Sequence, residues 1–227
     1  MKIPRTFLWL LLLGLAPLLG AAASFEGRFS LRIQDKNGTR LVSGAMKGDL
    51  MRVEIPVDDG GKIVSLADFA HNEVSVILPG QSFYASMPIE DAVTKISETR
   101  MSLGQTALQK TGGTATLLGY PCIKYLSKDK DGGITEIWAG TDIGSKKTSA
   151  ALLPLARGTA ERELLAQGGF PLRIIGKTSG GVPRFRMDVV SMEKQTLADS
   201  LFILPASYLK LPIGGLLKGG FGLLGGH

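Results

Sequence analysis

Residues 25–34 read Phe-Glu-Gly-Arg-Phe-Ser-Leu-Arg-Ile-Gln: every odd position is apolar or glycine and every even position is polar. Side chains alternate between two faces only in an extended strand, so this period of two predicts a strand with one buried and one wetted face. Asp35-Lys36-Asn37-Gly38 then gives a hairpin signal, because Asn and Gly accept the positive φ that a tight turn demands. The rhythm continues. Residues 40–46 return, Lys47-Gly48-Asp49 turns, and Met51, Val53 and Ile55 alternate with Arg52 and Glu54. Asp58-Asp59-Gly60-Gly61 is the next turn, followed by strands over 62–68, 74–78 and 82–86. Hairpins recurring about every 8–12 residues mark a meandering antiparallel sheet. Further strands are expected over 114–125, 134–139, 170–177 and 184–193.

Two stretches break the pattern. Pro88 suits a first helical turn, Glu90 and Asp91 complement its dipole, and Ile89, Ala92, Val93, Ile96 and Leu103 recur at helical spacing. A second helical stretch, broken at Pro154, runs from about Ser149 to Gln167 and stops at Gly168-Gly169. Parallel winding is disfavoured by the alternation and the tight turns. The expected fold is mainly β (α+β): a single curved antiparallel sheet, an open half-barrel, with two amphipathic helical segments covering its apolar face.

The chain's ends differ from its middle. Lys2 and Arg5 precede an apolar run from Phe7 to Leu19, and Gly20-Ala21-Ala22-Ala23 supplies the small residues that a signal peptidase cleaves. As a helix that run would rise about 20 Å, short of a hydrocarbon core about 30 Å thick. Residues 1–23 are therefore expected to be a cleaved secretory signal, and the protein exported to the periplasm or cell envelope. The folded domain is expected over 24–210. The tail, 211–227, is rich in Gly and Leu, and its glycines, each costing about 1 kcal/mol in a helix, preclude a stable free helix. It is either a disordered end or a segment that dips into a membrane surface or fills an apolar groove.

The net charge of +6 falls to +4 when Lys2 and Arg5 are removed. Arg28, Arg32, Arg52, Lys146, Lys147, Arg184 and Arg186 are scattered and interleaved with acids, whereas a nucleic-acid groove concentrates cations beside stacking aromatics. No nucleic-acid partner is expected. The single cysteine, Cys122, cannot form an internal disulfide and reads as a small buried hydrophobe. Catalytic and metal constellations are missing from the sequence pattern. It has two histidines, His71 in an expected turn and His227 at the end, and no Gly-x-Ser-x-Gly elbow. Asp129-Lys130-Asp131-Gly132 hints at a calcium loop, but the twelfth position of such a loop would be Trp138 rather than a bidentate Glu, so it reads as a turn. Neither enzyme activity, a cofactor nor a metal is expected.

Several short motifs carry a resemblance. Asp68-Phe69-Ala70-His71-Asn72-Glu73-Val74-Ser75-Val76-Ile77-Leu78-Pro79 with Phe83-Tyr84 resembles the domain of unknown function DUF4412. So do Gly119-Tyr120-Pro121-Cys122, Glu136-Ile137-Trp138 with Asp142-Ile143-Gly144, and Gly169-Phe170-Pro171-Leu172-Arg173. The end of the domain, Val190-Ser191-Met192-Glu193 and Leu201-Phe202 with Pro205 and Tyr208, fits the same pattern. That family is similar to the periplasmic lipoprotein carriers and outer-membrane lipoprotein-sorting proteins, and the resemblance implies a half-barrel lidded by helices over an apolar cavity.

On this reading the protein binds or carries a lipid, an acyl chain or an acylated protein, and Phe29, Leu31, Met51, Val53, Val76 and Tyr84 line the cavity. The competing expectation is that these side chains interdigitate as a filled core. The alternative function is an envelope interaction or stress-sensing protein that binds a protein partner on the same fold without a ligand.

Overall fold

The computed structural model describes residues 25–92, 108–141, 143, 164 and 168–211, apart from 37, 58–59, 78–79 and 130. The first meander is β1 (Gly27–Asp35), β2 (Gly38–Lys47), β3 (Leu50–Pro56), β4 (Lys62–Asp68), β5 (Glu73–Ile77) and β6 (Phe83–Pro88). The second is β7 (Gln109–Leu117), β8 (Tyr120–Lys128), β9 (Ile134–Gly140), β10 (Phe170–Lys177) and β11 (Pro183–Lys194), and β12 (Leu209–Lys210) follows. Hairpins sit at the turn residues read from the sequence. Gly48 has φ 57° between β2 and β3, and Val57 closes the β3–β4 turn by hydrogen bonds to Gly60 and Gly61.

Among the described residues all the strands join one curved sheet in the order β12-β6-β5-β4-β3-β2-β1-β11-β10-β9-β8-β7. The two meanders meet where β1 pairs antiparallel with β11. The end strands β12 and β7 are at opposite limits of the sheet, which is therefore open rather than closed into a barrel. Bulges between Ser30 and Leu31 and between Pro171 and Arg173 interrupt the ladders, a device that bends strands.

One expected strand is two. The stretch 114–125 splits at Leu118-Gly119, where φ values of 51° and 82° make a two-residue hairpin between β7 and β8. Leu is costly in the left-handed region, by about 1–2 kcal/mol. The ladders on both sides of the turn impose the conformation, and the Leu118 side chain is left exposed.

The two amphipathic helices are not established. Helix begins at 89–92, and Leu164 is a single helical residue of the second stretch; the remainder of both lies outside the described residues, as do the signal segment and the chain beyond 211. The one helical element described whole is a short 3-10 helix, Asp199–Phe202.

That short helix belongs to a strap. After β11 the chain crosses the sheet, held by Leu197 N to Glu26 Oε1 at 2.8 Å, Lys47 Nζ to the Leu197 carbonyl at 2.7 Å, and Arg52 to the Leu201 carbonyl at 3.0 Å. It ends as β12, parallel to β6, with Leu209 N bonded to Ser82 O and Leu211 N to Tyr84 O. The strap's Leu197 is buried. Covering an edge strand in this way removes a row of unpaired backbone groups that would otherwise template aggregation.

The main core gathers Phe25, Phe29, Met46, Cys122, Ile143, Leu172 and Val189, so both meanders contribute to it. A smaller cluster forms around Tyr125, Ala139 and Leu164.

Candidate functional site

Register decides which side chains share a face. Phe29 is opposite Gly44, Gly44 opposite Val53, Val53 opposite Ser65, Ser65 opposite Val76, and Val76 opposite Ala85. Leu31 and Met51 lie two residues along from members of this row and so point the same way. The structure therefore brings Phe29, Leu31, Met51, Val53 and Val76 onto one face. Tyr84 is placed differently: it pairs with Ile77 and stands on the opposite face, and Ala85 takes the position beside Val76. A one-residue offset in a strand of period two is enough to exchange the faces.

Coverage changes along this face. Phe29 is 3 % exposed, its ring lies over Gly44 and makes an edge-to-face contact with Phe170 at 6.1 Å. Here the filled-core expectation describes what is seen. On β3–β5, in contrast, Met51, Val53, Ile55, Ile63, Val74 and Val76 are all only half-buried. Sequence alternation flagged the apolar face but missed the residues that close it. Val42, Met46, Ala85 and Met87 are buried on β2 and β6, and Leu172 and Val189 come from the second meander.

The other face is polar where the strap does not reach. Asp188 accepts from Arg173 at 2.6 Å and from Arg186 at 2.5 Å, and Glu136 is held by Lys124 at 3.0 Å and by Lys177. Lys124 also lies over the Trp138 ring, 5.6 Å from its centre. Burial opposes ionisation of Asp188, but the hydrogen bonds from Arg186 and Arg173 outweigh it and hold the carboxyl below its ordinary value. Glu136 is lowered in the same way, burial being outweighed by Lys177 and Lys124. A carboxyl lowered by folding stabilises the native state above its unfolded pKa, about 4, and loses that contribution as pH falls through the native value. Asp188→Asn should accordingly destabilise the domain by about 1–2 kcal/mol at pH 7, after allowing for solvent screening of the half-exposed arginines. The gap from wild type should narrow in thermal melts at pH 3, and an equal gap at both values would remove the charge-pairing explanation.

Two pockets of size are described. One of about 360 Å³ lies at the β7–β8 edge, lined by Thr114, Ala115, Thr116, Pro121, Cys122, Ile123 and Thr141. One of about 170 Å³ lies where Phe202 and Leu204 of the strap meet Leu50, Met51, Leu66 and Ser75. Of the six residues expected to line a cavity, Met51 alone borders either pocket. Burial pushes the Cys122 thiol above its ordinary range, opposite to what a reactive thiolate needs. His71 and Asp68 form an exposed pair at 2.7 Å within the β4–β5 turn. Among the described residues no three His, Cys, Asp or Glu side chains gather as metal ligands would.

Comparison with solved structures places this architecture among known ones. An uncharacterized conserved protein from Thermus thermophilus aligns over 84 % of this chain and 92 % of its own, at 13 % identity and a TM-score of 0.51. PNGF-II aligns over 86 % of this chain but 32 % of its own, at 14 % identity and a TM-score of 0.53, so this chain spans about a third of that protein. A chain of the Pseudomonas aeruginosa MucA/MucB complex aligns over 83 % of this chain and 58 % of its own, at 12 % identity and a TM-score of 0.47. At such identities the likeness speaks to the fold alone. No protein of curated function matches the sequence. The sequence model of the domain of unknown function DUF4412 matches residues 25–208, nearly the whole of the described sheet and its strap, and the chain belongs to the DUF4412 family.

Proposed function

We propose that this is an exported envelope protein that binds an apolar ligand, a lipid or an acyl chain, free or on a lipoprotein, against the face carried by β3–β5. The observation behind this reading is the change in coverage along one cross-strand row. The row is closed at Phe29 and half-buried at Val53 and Val76, so apolar surface is left where a ligand's hydrocarbon could be buried. Each methylene moved from water onto that surface contributes about 0.8 kcal/mol.

Export supplies the compartment. The mature chain is expected to start at Ser24, and N-terminal sequencing that returned Met1 on a membrane-bound form would refute this.

The ligand is tested by native mass spectrometry of the protein purified from cell envelope, which should show lipid mass bound in stoichiometric amount. Leu31→Asp should abolish binding of an apolar dye and lower the melting temperature, because Leu31 packs against the core on this apolar face, opposite the buried Val42. Arg32→Asp, on the opposite face, should leave dye binding unchanged and lower the melting temperature only by the like-charge pairing it creates with Asp188 on β11. Ligand-free protein with dye binding indifferent to Leu31→Asp would favour the alternative, a protein partner bound on the same fold.

A further inference from the structure

The cations that look scattered in sequence are gathered by register. Lys124 on β8 is opposite Trp138 on β9, Trp138 opposite Arg173 on β10, Arg173 opposite Asp188 on β11, and Asp188 opposite Arg32 on β1. One row across five strands thus reads Lys-Trp-Arg-Asp-Arg. Arg186 flanks it through Asp188, Lys177 through Glu136, and Arg28 lies on the same face of β1 opposite Glu193. Six cations (Arg28, Arg32, Lys124, Arg173, Lys177 and Arg186) stand against the carboxylates of Glu136, Asp188 and Glu193. Asp188 is already clamped by two arginines, and Glu136 by two lysines. Arg28 and Arg32 are exposed and have no ion-pair partner among the described residues.

The shape of this surface indicates what it fits. Five strands at about 4.8 Å spacing span about 19 Å, and the four steps along β1 from Arg28 to Arg32 span about 13 Å. The strap crosses this face at its margin, at Glu26, Lys47 and Arg52, and neither pocket is lined by any of these six cations. An acidic peptide is best held in a groove with hydrogen-bond partners along its walls. A broad sheet face with cations in excess matches a plane of phosphates instead.

We propose that the face of β1 and β8–β11 docks onto a membrane surface rich in anionic phospholipid headgroups, with Arg28 and Arg32 supplying its uncompensated charge. This does not depend on the apolar ligand, which occupies the other face of the sheet.

The test is co-sedimentation of the full mature chain, Ser24–His227, with vesicles of equal parts phosphatidylglycerol and phosphatidylcholine, and with phosphatidylcholine alone. The protein should partition onto the anionic vesicles and lose that binding in high salt. Neutralising two cations near the surface, at about 1 kcal/mol each, predicts that the double variant Arg28→Gln, Arg32→Gln binds about 30-fold more weakly. Its melting temperature and apolar-dye binding should stay unchanged, which separates failure of this inference from failure of the ligand reading. The double variant Lys36→Gln, Lys110→Gln removes the same net charge at exposed positions outside the row and should bind as wild type does. Equal loss in the two double variants would reduce the effect to net charge and overturn the proposal. So would the absence of binding to anionic vesicles, or arginine-dependent binding to polyglutamate without vesicle binding, which would assign the face to an acidic polypeptide.

Discussion

Gly44→Val is expected to lower the melting temperature by about 10 °C or to abolish the cooperative transition. By strand propensity alone the substitution should help, since β-branched residues favour strands by up to about 1 kcal/mol over the depleted types. The packing reverses the sign. A Cβ at position 44 would fall 2.1 Å from Cζ of Phe29 and 2.3 Å from its Cε2. The ring is not the free end of a flexible chain: Phe29 is 3 % exposed and in edge-to-face contact with Phe170. Over-packing of this kind costs about 1–3 kcal/mol and more where nothing can give, and each kcal/mol is worth about 2–4 °C in a domain of this size. Phe29→Leu introduced into Gly44→Ala should recover part of the loss, because the smaller side chain vacates the space the new Cβ needs. A Gly44→Val protein that melted like wild type would mean that the ring does not lie over β2.

Ending the chain after Lys194 should be more damaging still, whereas ending it after Leu211 should leave the melting temperature close to that of the full chain. The shorter form lacks Leu197, 4 % exposed, whose burial alone is worth about 2 kcal/mol. It also strips Phe202 and Leu204 from the sheet face that carries Leu66 and the buried hydroxyl pair of Ser75 and Ser86, 2.7 Å apart. Lys47 loses both the Leu197 carbonyl and Asp199, each at 2.7 Å. Loss of β12 would expose the β6 edge, so aggregation on heating should accompany the lower stability. The longer form keeps every one of these contacts, including Leu211 N to Tyr84 O. Thermal melts and light scattering on the two truncations decide the matter. If the form ending at Lys194 melted like the full chain, the strap would be an ornament of the sheet rather than part of its stability.

Much of the sheet was legible from local chemistry. Alternation over 25–34 gives β1, and the Asn-Gly, Gly48 and Gly60-Gly61 turns give the first hairpins, because period and positive φ are properties of a few consecutive residues. The β7–β8 turn was not legible, since Leu118-Gly119 lacks the Asn or Asp that ordinarily marks such a turn and its conformation is imposed by the flanking ladders. Tyr84 shows a finer limit. Alternation identifies two faces of β6, but which of them joins the Val76 face depends on the pairing of β6 with β5.

The sequence by itself determined the class of the protein, antiparallel strands in hairpins with one apolar face, because those signals are local. Only the tertiary structure decided that β11 returns to β1, that the strap closes the β6 edge, and that Arg32, Asp188 and Arg173 stand side by side. These are pairings between segments more than a hundred residues apart, or between strands joined by their own hairpin at a register the turn alone does not set. Their free energy comes from burying both meanders in one core around Phe29, Leu172 and Val189, and no stretch of sequence holds that core alone.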